Sequence, residues 1–218
     1  MCFSAPVSFA ASSVLLVTGG YSVNQAVKKD RSWLLFALIP LVFSLQQFLE
    51  GLVWLGLEGG DNGLTRSFAL AYMFFAFAFW PAYLSLSIYF IEQKAKMKKV
   101  MAALFLLGTV YGLINYLPFV LGQLSFVVSV AKHSICYLTS RPAWLKVVFV
   151  AGYALLIMSA LCLTSEKRIK IFCSMFMALS ILALIVNRAA FYSVWCFYSA
   201  LLSLYIGYVL HKMPAARS

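Results

Sequence analysis

Seven apolar stretches, each about 20 residues long and separated by short polar breaks except for one long connection at 118–142, constrain this chain more than any other feature. A helix rising 1.5 Å per residue needs roughly 20 residues to cross a hydrocarbon core of about 30 Å, so each stretch can form one span. They cover 6–27, 33–57, 66–92, 97–117, 143–164, 168–187 and 190–211. Composition agrees, because 64% of the 218 residues are hydrophobic and only 11% charged, far from the balance of a soluble domain. The expected fold is all-α: a polytopic membrane protein of seven transmembrane helices, with residues 1–218 forming a single helical-bundle domain.

A net charge of +11 suggests nucleic acid until its distribution is followed along the chain. One set of helix ends carries Lys28, Lys29, Arg31, Lys94, Lys96, Lys98, Lys99, Lys167, Arg168, Lys170, Lys212 and Arg217. The other carries Arg66, Lys132, Arg141, Lys146 and Arg188. The richer side is cytoplasmic by the positive-inside rule, which places the N-terminus outside and the C-terminus inside. The expected partner is therefore the lipid bilayer, and no nucleic acid. The first segment opens at Pro6 and has its positive charges after its apolar run, so it reads as a retained helix and not as a cleavable signal.

The connection 118–142 is ambiguous. Leu124 to Leu138 is apolar enough to suggest another helix, yet Ser125, Ser129, Lys132, His133 and Ser134 interrupt it. Phe126, Val128 and Val130 alternate with the period of a strand. A helix here would also carry Glu166, Lys167, Arg168 and Lys170 to the outside, against the charge rule. An outer hairpin or lid between the fourth and fifth helices is expected, turning near Ala131-Lys132.

Glu50 is the one acidic residue deep inside an apolar stretch. A carboxylate in hydrocarbon is costly unless it is paired or faces water, so such residues usually mark function. With the second helix running outward, Glu50 lies about seven residues, roughly 10 Å, below its outer end. Gln46 is one turn below on the same face, and Gln47 points about 100° away. The outer half also gathers Trp195, Cys196 and Asn115, while the Trp80-Pro81 pair falls in the middle of the third helix, where its proline is expected to kink the helix and open space near the bundle centre. The candidate ligand-binding set is thus Glu50, Gln46, Gln47, Trp80, Trp195 and Asn115. The bland counterparts are interhelical hydrogen bonding for the glutamines and a structural carboxylate for Glu50. Gln46 cannot satisfy both carboxylate oxygens, so a second segment must supply a partner; Cys2, Ser4, Asn115, Ser193 and Arg188 match in depth. Cys2, Glu50, His133 and Cys196 are acceptable ligands for Zn or Cu, although no spacing rule joins them. Trp33, Trp54 and Trp144 read as an interfacial aromatic belt, and Cys162 and Cys173 as small buried hydrophobes.

Several functions are excluded by missing residues. No lysine lies in 190–210 to hold a retinal Schiff base, and two histidines cannot build a three-histidine zinc site. No GxSxG nucleophile motif and no internal repeat of the helices is present. Met1-Cys2-Phe3-Ser4-Ala5, the Gln46-Gln47-x-x-Glu50-Gly51-x-x-Trp54 stretch, Phe79-Trp80-Pro81 and Ser193-Val194-Trp195-Cys196-Phe197 resemble a family of bacterial multi-pass membrane proteins of unknown function. The resemblance implies a location in the bacterial cytoplasmic (inner) membrane, and that Cys2, Gln47, Glu50, Trp80, Trp195 and Cys196 belong to the family pattern. It supplies no activity and no cofactor. Two functions remain. One is binding or transport of a small molecule or ion in an outer-leaflet polar pocket centred on Glu50. The alternative is an intramembrane enzyme, metal-dependent or not, using Glu50 as acid or base with Cys2 or Cys196.

Overall fold

The computed structural model describes residues 4–131, 134–186 and 191–214. The helices are α1 (Ala5–Lys29), α2 (Arg31–Glu58), α3 (Asn62–Ile91), α4 (Ala95–Val120), α5 (Ala143–Leu163), α6 (Lys167–Val186) and α7 (Ser193–Lys212). Among the described residues, all but α6 are long and apolar enough to cross a membrane. Each helix packs on its sequence neighbours and α7 returns to α1, closing a ring. Lys28, Lys94, Lys96, Lys167 and Lys212 therefore share one end, here the lysine end. The α4–α5 connection lies at the other, the hairpin end.

Local chemistry explains the helix boundaries. Pro6 stands in the first turn of α1, where a missing N–H costs nothing. Ser8, Ser12, Gly19, Ser22 and Ala26 form a buried stripe along α1. Small side chains allow close helix approach where lipid provides no hydrophobic drive. Ser12 Oγ donates to the Ser44 carbonyl at 2.9 Å and Ser44 Oγ to the Ser12 carbonyl at 2.7 Å, tying α1 to α2. At the lysine end, Lys29 Nζ donates to the carbonyls of Leu210 and His211 at 3.0 and 2.7 Å. A cation there also suits the negative end of the α7 dipole. Asp61 caps α3 by accepting from the Leu64 amide at 2.9 Å.

α3 is interrupted at its middle. Residues Phe75–Phe79 form a π-helical turn that leads into Trp80-Pro81. Proline lacks the N–H that the carbonyl four residues earlier needs, and its ring crowds that carbonyl. Position 77 is that carbonyl, and Asn115 Nδ2 of α4 donates to it at 3.2 Å. α4 comes this close because of Gly108 and Gly112: a Cβ on either would stand 2.7 Å from the backbone of Pro81 or Ala78.

The connection from α4 to α5 contains the antiparallel pair β1 (Phe126–Ala131) and β2 (Ser134–Thr139), in register from Phe126↔Thr139 to Ala131↔Ser134. The residues between, Lys132 and His133, lie outside the described residues. Ser134 to Tyr137 are all buried, so β2 is folded into the bundle instead of lying over it.

Two expectations are corrected. Trp33 and Trp54 are 3% and 6% exposed and belong to the core; only Trp144, at 68%, stands outward as a belt residue would. Cys162 and Cys173 are not two isolated buried thiols. Cys162 is exposed and the two are joined as a disulfide across the α5–α6 turn, 11 residues apart in sequence, because that turn brings their Cα atoms to 6.0 Å.

Candidate functional site

Glu50 is fully buried on the inner face of α2. Its Oε1 accepts from Ser193 Oγ of α7 at 2.6 Å and its Oε2 from Gln47 Nε2 at 3.4 Å. The two glutamines divide their work differently from the expectation that Gln46 shares the carboxylate's face. Gln47, three residues before Glu50, reaches the carboxylate, whereas Gln46 turns to α3 and accepts from Trp80 Nε1 at 2.9 Å. The Trp80 ring stacks on Phe43 with centroids 4.0 Å apart, which fixes the indole for that bond. The Cys196 thiol, also buried, lies beside Tyr72, Gln46 and Glu50. Above this cluster Tyr72 stacks on Tyr137 of β2, with centroids 4.9 Å apart and planes 9° from parallel. The hairpin thus seals the cluster from the hairpin end.

A cavity of about 320 Å³ lies on the far side of Trp195. α3 supplies Ala76 and Phe77, α4 Tyr111 and Asn115, α5 Phe149 to Met158, and α6 Phe176 to Ile181. Its polar points are Tyr111, Asn115, Tyr153, Ser180 and Trp195, and among the described residues no charged side chain lines it. Trp195, Tyr153 and Phe176 also line a void of about 20 Å³ that reaches Trp80, Cys196 and Ser199. One aromatic layer therefore separates the cavity from the side chains around Glu50.

The six candidate binding residues consequently fall into two groups. Glu50, Gln46, Gln47 and Trp80 form the closed cluster, while Asn115 and Trp195 face the cavity. Asn115 is held from outside the helices by Arg141, whose guanidinium donates to both the side-chain and main-chain oxygens of Asn115. Arg141 is itself buried between the rings of Phe119 and Phe149, 4.9 and 4.2 Å from their centroids. Of the expected metal set, Cys2 and His133 lie outside the described residues, as does Arg188. Among the described residues, no three His, Cys, Asp or Glu side chains could hold a metal ion. Burial pushes the Cys136 thiol of β2 up from its ordinary pKa, which keeps it protonated.

Sequence reasoning missed Tyr72, Tyr111, Arg141 and Glu92. The first two are ordinary aromatic residues in apolar runs, and Arg141 reads as a loop cation. Glu92 follows Ile91 at the lysine end, where a solvated turn is the natural reading. Instead it is buried and accepts from the amides of Gln93, Lys94 and Ser165 at 3.1, 3.1 and 2.7 Å and from Thr164 Oγ1 at 3.2 Å. Burial pushes its pKa up, but the donors on Ser165, Lys94 and Thr164 outweigh it, and the net position is below the usual carboxylate value. Nothing in the flanking residues announces that the α5–α6 turn will meet this carboxylate.

Long apolar helices closed into a ring around a buried carboxylate define a helical membrane protein. The chain belongs to a family of unknown function, DUF6629, which it matches over residues 1–218. No curated protein and no solved structure matches it.

Proposed function

We propose that the chain is a small-molecule binding protein of the bacterial cytoplasmic membrane. All seven helices span, with the N-terminus outside, the C-terminus inside and the hairpin at the outer face. The ligand occupies the cavity behind Trp195, and the Glu50 cluster is the polar wall one layer further in. The observation that carries this reading is a cavity of about 320 Å³, walled by five helices beside a fully buried carboxylate. That volume stands at the lower end of ordinary ligand sites, about 300–1,000 Å³, and its lining has the usual character of an apolar wall with a few polar groups. A small molecule fits better than an ion, because the described residues that line the space carry no charge.

An acid–base enzyme has one specific observation in its favour, the Cys196 thiol beside the Glu50 carboxylate. It is the weaker reading because the void that Cys196 lines is about 20 Å³, too small for a substrate.

Native mass spectrometry of the protein purified in mild detergent tests the binding reading. A co-purifying adduct is expected that disappears in Ala154→Phe, which fills the cavity mouth, and survives in Ser13→Phe on the exposed face of α1. An adduct-free wild-type protein would overturn it.

A further inference from the structure

The cavity walls restrict what can be bound. Tyr111 donates to the Phe149 carbonyl at 2.6 Å. Ser180 Oγ accepts from Trp195 Nε1 at 2.7 Å and donates to the Phe176 carbonyl at 2.8 Å. Asn115 gives its amide hydrogens to the Phe77 carbonyl and the Tyr111 hydroxyl, and its oxygens accept from Arg141. These groups are committed to the protein itself. A polar solute entering here loses its water and gains few new partners, at about 1–3 kcal/mol for each unpaired group. An apolar solute meets Phe77, Phe149, Tyr153, Phe176 and Trp195 without that cost.

The mouth restricts how it arrives. On one side stands Ala154, and on the other Met177 and Ile181, which are 42% and 59% exposed. Leu155 and Ile185 beside them are 69% and 75% exposed, so the opening lies in an exposed apolar surface of α5 and α6. Ala154 and Met177 each fall near the middle of their helices, Ala143–Leu163 and Lys167–Val186. At 1.5 Å per residue the opening is about 15 Å from either helix end. In a spanning bundle that depth is hydrocarbon and not water.

We infer that the cavity is a lateral site for an uncharged hydrocarbon chain, acyl or prenyl, which enters from the bilayer core between α5 and α6. The inference rests on the binding reading above and names its ligand class and route. Trp195 and Tyr153, 6% and 7% exposed, form the floor such a chain reaches.

The test is photolabelling of the full chain in vesicles that contain a phospholipid with a mid-chain diazirine. A parallel preparation contains a free fatty alcohol with the same tag. Peptide mass spectrometry should find adducts on Tyr153 or Trp195 as well as on outward residues such as Leu106. Whichever tagged lipid gives the inner adducts identifies the source as an intact phospholipid or a free chain. Ala154→Phe should reduce the inner adducts at least tenfold while leaving those on Leu106 unchanged. Met177→Trp closes the mouth from the opposite helix and should do the same if Ala154→Phe does not fold. Adducts confined to outward residues, or inner adducts indifferent to both mouth variants, would overturn the inference. If inner adducts are absent while Ala154→Phe still removes a co-purified molecule, lateral access fails and the binding reading stands. If both signals are absent, both fail.

Discussion

Glu50 and Glu92 are both buried carboxylates, and their surroundings stabilise them in different ways. Among the described residues, Glu50 accepts from side-chain donors on helices, Ser193 at 2.6 Å and Gln47 at 3.4 Å. A hydrogen bond to a charged group contributes about 1.5–3 kcal/mol, so Ser193→Ala should lower the thermal unfolding midpoint in detergent by several degrees. Glu50→Gln keeps the shape and one acceptor, and should unfold closer to wild type than Ser193→Ala does. Equal midpoints for Ser193→Ala and wild type would remove Ser193 as the partner. Glu92 accepts mainly from backbone amides of two turns, and its pKa lies below the ordinary 4.5. A carboxylate with a depressed folded pKa gives stability that is present above the unfolded value and lost as pH falls through the folded one. Wild-type stability should therefore hold from neutral pH to about 5 and decline below 4.5, whereas Glu92→Gln should be less stable at pH 7 and flatter across that window. Thermal scans from pH 3 to 7 decide it; parallel curves for the two proteins would refute the assignment. Only Glu50 was legible in the sequence, because its apolar neighbours on both sides leave a carboxylate no solvated reading. Glu92 sits among Gln93 and Lys94, and its burial depends on a turn 72 residues later in the chain.

At the scale of elements, the kink in α3 is where sequence and structure meet most directly. Trp80-Pro81 marks the interruption in advance, since no other residue type both removes a donor and crowds the preceding turn. What receives the freed carbonyl is a tertiary matter, answered by Asn115 on α4. The approach depends on Gly108 and Gly112, spaced four apart on one face of α4. Gly112→Val would place a Cβ 2.7 Å from the Ala78 carbonyl, so it should cost at least the 1–3 kcal/mol typical of overpacking. Gly20→Val, whose Cβ would meet nothing within 4 Å, is the control and should leave the unfolding midpoint nearly unchanged. Equal midpoints for both would mean that α4 is free to move away from α3. The paired strands show the same division. Period-two alternation in 126–130 is local and readable, while the burial of Ser134 to Tyr137 comes from packing on helices, including the stacking of Tyr137 on Tyr72, which no local pattern encodes. Trp33 and Trp54 follow a related rule: position near a helix end suggests an interface, but the helix face decides whether lipid or protein receives the ring.

For the whole molecule, helix number follows from apolar length, whereas the closure of α7 onto α1 follows from Lys29 and the small-residue stripe of α1. Orientation is the remaining global property, and two observations on the lysine end oppose each other. Lys28, Lys29, Arg31, Lys94, Lys96, Lys98, Lys99, Lys167, Arg168, Lys170 and Lys212 place that end in the cytoplasm by charge. The Cys162–Cys173 disulfide at the same end is of a kind that persists in oxidising compartments and is rare in the cytosol. The charge asymmetry should prevail, because it acts during insertion, before the α5–α6 turn has formed. In that case the cytosol should hold Cys162 and Cys173 as the reduced pair. Cysteine labelling separates the alternatives on a Cys2→Ser, Cys162→Ser, Cys173→Ser background, in which the remaining Cys136 and Cys196 are buried. A membrane-impermeant maleimide should modify Asn62→Cys in intact cells and Lys96→Cys only after permeabilisation. In the otherwise native chain, alkylation before lysis with a permeant maleimide should capture both Cys162 and Cys173. If Lys96→Cys labels from outside and Cys162 resists alkylation without reductant, the bundle is inverted. The hairpin and the Glu50 cluster would then belong to the cytoplasmic half, while the mid-helix mouth between α5 and α6 would keep its depth in either orientation.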